Sequence, residues 1–132
     1  GLHCPVCKMY LSKLNELTDM AADAGVNVVA VSMDPEDRAT QTKLEWELAN
    51  LDIAYGATVD DVRNWGLYLS TAFKETEIPQ FAEPGLFWVR PDGRLYLIDI
   101  SNMPWSRPDV GFLLSKVKFA MDNSYPARGT TA

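Results

Sequence analysis

Apolar residues recur at intervals of three and four along the first part of the chain. The recurring positions are Val6, Met9, Tyr10, Leu14, Leu17, Met20, Ala21 and Ala24. This spacing places them on one face of a helix and predicts an amphipathic helix from Pro5 to Ala24. Gly25 follows at the position where a glycine commonly ends a helix.

The rest of the chain alternates between strand-like and helix-like patterns. Residues 26–31 are almost entirely apolar and rich in β-branched side chains, which is typical of a parallel strand covered on both faces. Asp34 is the expected N-cap of a second helix that starts at Pro35 and runs to about Ala49. A weak strand is predicted over 51–55, a helix over 59–69 and an irregular insertion over 71–83. Two strands over 85–89 and 94–100 are predicted to be joined by a turn at 91–93. A loop over 101–108 and a helix over 108–123 are predicted to follow. Strands alternating with helices predict an α/β sandwich.

Size and charge restrict the possible roles of the protein. A chain of 132 residues predicts a single domain over 1–132, with 123–132 expected to form a flexible tail. The net charge of −6 argues against nucleic acid and anionic membranes as partners. Two cysteines are too few for a disulfide-stapled secreted scaffold, and no secretory signal is visible, so a cytoplasmic location is expected.

Both cysteines lie in one stretch, His3-Cys4-Pro5-Val6-Cys7, at the start of the first predicted helix. Cys4 occupies the expected N-cap, and Pro5 occupies the first helical position, which tolerates its missing N–H group. The free N–H groups of Val6 and Cys7 should point at the Cys4 sulfur and, with the helix dipole, favour a thiolate there. Cys7 lies one turn further on, within disulfide reach. We therefore expect Cys4 to be the more reactive thiol of a pair suited to dithiol–disulfide exchange.

Two other interpretations of the cysteine pair, a zinc site and a purely structural pair, are less favoured than redox chemistry. Structural zinc takes four ligands, whereas the chain offers two cysteines and His3, which is adjacent to Cys4 in sequence. No metal site is therefore expected. The pair could instead be purely structural, acting as two small apolar residues at a helix start.

These stretches resemble the alkyl hydroperoxide reductase/thiol-specific antioxidant (peroxiredoxin-like) family of the thioredoxin superfamily. The residues that carry the resemblance are Gly1–Cys7, Val31–Asp34, Trp65–Tyr68, Pro84–Phe87 and the turn Pro91–Gly93. The resemblance implies a thioredoxin-like three-layer sandwich with a mixed sheet. It also implies Cys4 as the attacking thiol, Cys7 as the resolving thiol and no cofactor. Finally, it implies a cis-proline at Pro84 that faces the cysteines.

The chain departs from the family pattern at two positions that serve peroxide chemistry. Peroxiredoxins carry a threonine three residues before the attacking cysteine, where this chain has Gly1, and an arginine where it has Pro84. We therefore expect thiol–disulfide exchange to exceed peroxide reduction. The expected substrate is a protein or small-molecule thiol, disulfide or hydroperoxide, and the candidate substrate-binding residues are Pro84, His3 and Pro5.

A further departure concerns the sheet. The family places a central strand directly before the dithiol helix, but here Cys4 is only the fourth residue. That strand is therefore expected to be missing, which would leave the edges of the strands at 26–31 and 85–89 unpaired. The two flanking strands could pair directly, or a natural N-terminal segment could supply the strand, but the expected assembly is a homodimer that covers these edges. The alternative to a thiol–disulfide oxidoreductase is thus a truncated, non-catalytic thioredoxin-like module stabilised by self-association.

Overall fold

The structure, a computed structural model, describes residues 1–132. The chain forms six α-helices and six β-strands, which alternate only from α2 to β3, and a short 3-10 helix at Pro104–Ser106. The helices are α1 (Pro5–Glu16), α2 (Thr18–Asp23), α3 (Glu36–Glu45), α4 (Val59–Asn64), α5 (Val110–Ser115) and α6 (Val117–Asp122). The strands are β1 (Val29–Val31), β2 (Asp52–Ala54), β3 (Leu69–Thr71), β4 (Gln80–Ala82), β5 (Gly85–Val89) and β6 (Leu95–Ile100). This mixed α/β architecture with small sheets is consistent with a thioredoxin-like fold.

The predicted long first helix is two helices. α1 begins as expected, with Cys4 as N-cap and Pro5 first in the helix. The helix then breaks at Leu17, whose N–H donates to both Leu14 O and Lys13 O, and α2 continues to Asp23. Gly25 ends this segment with a φ of 76°, a conformation that favours glycine. The predicted C-terminal helix breaks in the same way, at Lys116 between α5 and α6.

Asp34 does not cap α3, contrary to the sequence prediction. The N-cap is Pro35, and no side chain caps this helix. Asp34 is instead buried and forms an ion pair with Arg38, with 3.8 Å between Oδ1 and Nε. Its backbone N–H donates to Ser32 Oγ over 3.0 Å. The carboxylate therefore anchors α3 to the end of β1 through Arg38.

The strands form three separate pairs. β1 and β2 are parallel, whereas β3 with β4 and β5 with β6 are antiparallel. The predicted turn between β5 and β6 is present, with Gly93 at a φ of 84°. The irregular insertion expected over 71–83 contains β4. It is organised by Glu77, whose carboxylate accepts the N–H groups of Phe73 and Lys74 and whose pKa these bonds lower.

The core is small and lies between the helices and the strands, where Ile53 of β2 and Leu86 and Trp88 of β5 pack against it. Its buried members are Leu14, Ala21, Trp46, Leu48, Leu51, Val110, Leu114 and Val117. Ala30 of β1 packs against this cluster, but Val29 and Val31, which point to the other face, are 57% and 67% exposed. The expectation that this strand is covered on both faces is therefore wrong for the chain as it stands.

Candidate functional site

Cys4 and Cys7 form a disulfide at the N-terminus of α1. The Cys7 N–H donates to Cys4 Sγ over 3.2 Å, which is the capping contact expected from the sequence. Val6 makes no such contact, so one backbone donor rather than two serves the Cys4 sulfur. Both cysteines are half-buried. The helix start therefore holds the pair in disulfide geometry and directs one N–H group at Cys4.

Arg107 approaches the second cysteine from the far end of the chain. Its Nη2 donates to Cys7 Sγ over 3.4 Å, and its Nη1 donates to Pro104 O over 2.7 Å. The guanidinium carbon lies 5.2 Å from the centre of the Tyr10 ring, within the range of a cation–π contact. Arg107 is half-buried at the end of the 3-10 helix, in the loop between β6 and α5. Two contacts with α1 and one with the neighbouring 3-10 helix thus fix the position of the guanidinium.

Tyr10 connects the same two parts of the molecule. It lies one turn after Cys7 on α1, and its hydroxyl donates to Pro108 O over 2.9 Å. Burial raises the pKa of Tyr10, and the positive charge of Arg107 opposes that rise. Burial lowers the pKa of Arg107, while Tyr10 and Glu83 favour its charged form. The phenol therefore stays neutral near pH 7 and provides an aromatic face for the cation.

The cysteines open into a broad space of about 2130 Å³, which includes the gap between the β1–β2 and β5–β6 pairs and extends beyond it to residues of the helices and loops. All of β1 and all of β5 line this space, whereas β2 contributes only Ile53 and β6 only Tyr96 and Asp99. The free edges of β1 and β5, each paired on one side only, therefore border the gap. We call this space the central groove.

The residues predicted to bind substrate all line the central groove. His3 and Pro5 are exposed beside Cys4, and Pro84 is half-buried directly before β5. The cis-proline implied for Pro84 is wrong, because the structure contains no cis peptide bond. Pro84 O instead accepts the N–H of Ser101 over 2.9 Å. Whether these three residues bind substrate stays a prediction.

No group of three or more His, Cys, Asp or Glu side chains lies close enough together to share a metal ion. No helix is long and apolar enough to cross a membrane.

Sequence reasoning missed Arg107 as a site residue. It lies 100 positions from Cys7, and the loop prediction over 101–108 gave it no partner. The only signal in the sequence is an arginine between Pro104 and Pro108, two prolines that restrict the backbone around it.

A family model described as the AhpC/TSA family matches residues 1–98, which include the disulfide, the central groove strands and most of β6. The search of curated proteins found no match.

Proposed function

Since the chain belongs to the AhpC/TSA family, we propose that it acts as a thiol–disulfide oxidoreductase through Cys4 and Cys7. The observation that carries the proposal is the Cys4–Cys7 disulfide at a helix N-terminus, facing an open groove. A helix N-terminus favours a thiolate at its N-cap, and a neighbouring cysteine can resolve a mixed disulfide. The cytoplasm fits this role, because its thiol systems can supply the electrons.

The exchange takes two steps from the reduced chain. The Cys4 thiolate attacks one sulfur of a substrate disulfide, which forms a mixed disulfide and releases one substrate thiolate. The Cys7 thiolate then attacks Cys4 Sγ, which forms the Cys4–Cys7 disulfide and releases the second substrate thiolate. Two electrons pass from the dithiol to the substrate, and an external dithiol returns them by the reverse steps.

Disulfide exchange is favoured over peroxide reduction by the residues around Cys4. Gly1 and Pro84 stand where the family resemblance places the threonine and arginine that position and polarise a peroxide. The guanidinium of Arg107 contacts Cys7 rather than Cys4. The attacking sulfur thus lacks the polar contacts that would activate a bound peroxide.

Insulin reduction measured beside peroxide consumption tests this assignment. With dithiothreitol as the reductant, we expect the chain to accelerate insulin precipitation and to leave hydrogen peroxide at low micromolar concentration almost unconsumed. The matched control is the same chain, reduced and alkylated at both cysteines. Rapid sulfenic acid formation at Cys4, with no acceleration of insulin reduction, would contradict the proposed exchange function and would indicate peroxidase activity instead.

The central groove favours a second role for the chain, which is association with a second copy. The chain exposes 9124 Å² of surface, whereas a folded monomer of this mass is expected to expose about 6,900 Å². The difference exceeds the roughly 800 Å² that each partner buries in an interface of standard size. The unpaired edges of β1 and β5 offer main-chain groups that a second chain can pair with. We propose a two-fold dimer that covers these edges.

A lysine on β1 tests the dimer. Val31→Lys places a charge on the exposed face of an edge strand, which natural sheets use to prevent pairing. Sedimentation velocity at several concentrations should show concentration-dependent dimers for the unmodified chain and monomers for Val31→Lys. Leu44→Lys is the matched control, because Leu44 on α3 is 73% exposed and lies outside the groove. A well-folded monomer at all concentrations would rule the dimer out.

A further inference from the structure

We propose that Arg107 is a catalytic residue that stabilises the thiolate of Cys7 when the disulfide is reduced. This inference rests on the proposed exchange function, because it assigns the electrostatic partner of the resolving thiol. Arg107 Nη2 already donates to Cys7 Sγ over 3.4 Å in the disulfide form. Reduction converts this weak sulfur acceptor into a thiolate, for which a guanidinium is a far stronger hydrogen-bond partner.

The guanidinium is held in place before reduction. Pro104 O binds Nη1, the Tyr10 ring lies under the cation, and the Tyr10 hydroxyl is itself fixed on Pro108 O. These contacts restrict Arg107 without supplying a carboxylate that would neutralise it, since no ion pair within 4.0 Å includes it. A preorganised cation close to the reacting sulfur acts without a large rearrangement when charge develops there.

The two sulfurs therefore have separate sources of thiolate stabilisation. Cys4 receives the backbone N–H of Cys7 at the helix N-terminus, and Cys7 receives Arg107. A Cys7 thiolate present near neutral pH attacks the mixed disulfide faster. It is also the better leaving group when an external dithiol attacks Cys4 to regenerate the reduced chain. Arg107 thus assists the second half of the exchange in both directions.

The other charged groups near this contact do not hydrogen-bond to Cys7. Four charged groups interact electrostatically with Arg107 or Tyr10: Glu83 before β5, Asp99 on β6, Asp109 at the start of α5 and the amino group of Gly1. The side chains of Lys8 and His3, which are close to the cysteines in sequence, are exposed. None of these groups has a hydrogen bond to Cys7 Sγ, whose one side-chain donor is Arg107.

Thiol titration in single-cysteine variants tests the proposal without any disulfide substrate. In the Cys4→Ser background, Arg107→Gln should raise the pKa of Cys7 by about one unit, a tenfold loss of thiolate. In the Cys7→Ser background, the same change should move the pKa of Cys4 by less than half as much. Arg90→Gln is the matched control, because Arg90 also lies over a tyrosine ring, 5.0 Å from that of Tyr96, and has no contact with a cysteine. Arg107→Lys keeps the charge and should restore part of the shift.

In the chain with both cysteines, Arg107→Gln should make the dithiol more reducing. A tenfold weaker stabilisation of the reduced form corresponds to a potential lower by about 30 mV. If Arg107→Gln fails to fold, the guanidinium NMR signals of Arg107 in the Cys4→Ser variant should titrate with Cys7. An unchanged Cys7 pKa and potential in folded Arg107→Gln, or Arg107 signals that ignore Cys7, would overturn the proposal. If these shifts appear and insulin is not reduced, the inference stands and the exchange function fails.

Discussion

Cys4→Ser is expected to lower the rate of insulin reduction by about a thousandfold or more, to the uncatalysed background. The hydroxyl of serine does not ionise in the range where a cysteine thiolate does, so the first attack on the substrate disulfide is lost. Cys7→Ser should instead retain the first attack and stop there, because no second thiolate can displace the product. Mass spectrometry of Cys7→Ser mixed with a disulfide substrate should show an adduct at Cys4.

Met9→Ser is the matched control for both cysteine variants. Met9 lies on the same helix, α1, and is 73% exposed. The substitution therefore introduces the same serine side chain at a position away from the disulfide. Its rate of insulin reduction should match that of the unmodified chain. If Cys4→Ser formed the adduct through Cys7 while Cys7→Ser remained unreactive, the roles of the two thiols would be reversed.

Leu51→Ala is expected to cause the largest loss of stability among single side-chain truncations, about 2–5 kcal/mol in the free energy of unfolding. Leu51 lies between α3 and β2 and is completely buried, as is Leu48. Truncation leaves a cavity in a small core, whose buried cluster contains only seven other members to close around it. A loss of this size is a large part of the roughly 5–15 kcal/mol that stabilises a typical domain.

Urea denaturation followed by circular dichroism measures this effect, with the midpoint expected to fall at an unchanged slope. Leu44→Ala makes the same chemical change at a position that is 73% exposed. Its free energy of unfolding should change by less than about 0.5 kcal/mol. Equal effects of the two truncations would show that the Leu51 environment does not form the core of the protein in solution.

The sequence predicted the elements whose cause is local. The start of α1 depends on Cys4 and Pro5 alone, and the turn between β5 and β6 depends on Gly93, so both were predicted correctly. The breaks at Leu17 and Lys116 were not predicted. One tighter turn alters the hydrogen bonding there but leaves the apolar residues on nearly the same face, so the hydrophobic period does not reveal it.

Features that depend on distant parts of the chain were missed. The pairing of β3 with β4 joins residues on either side of a segment that the sequence predicted only as an irregular insertion, and Glu77 within it binds backbone N–H groups. Likewise, nothing in the sequence around Arg107 indicates that it reaches Cys7 on α1. Tertiary contacts of this kind join residues far apart in sequence, so local sequence patterns do not predict them.

The separation of the β1–β2 and β5–β6 pairs also has a consequence for folding. β5 and β6 are joined by a short turn, so their contacts are local in sequence and form at little cost in loop entropy. β1 and β2 come together only after α3 is placed between them, and no hydrogen bond links this pair to the other. The hairpin can therefore form early in folding, but its stability still depends on the shared core, because Leu86 and Trp88 of β5 pack against the same buried cluster as Ala30 of β1 and Ile53 of β2.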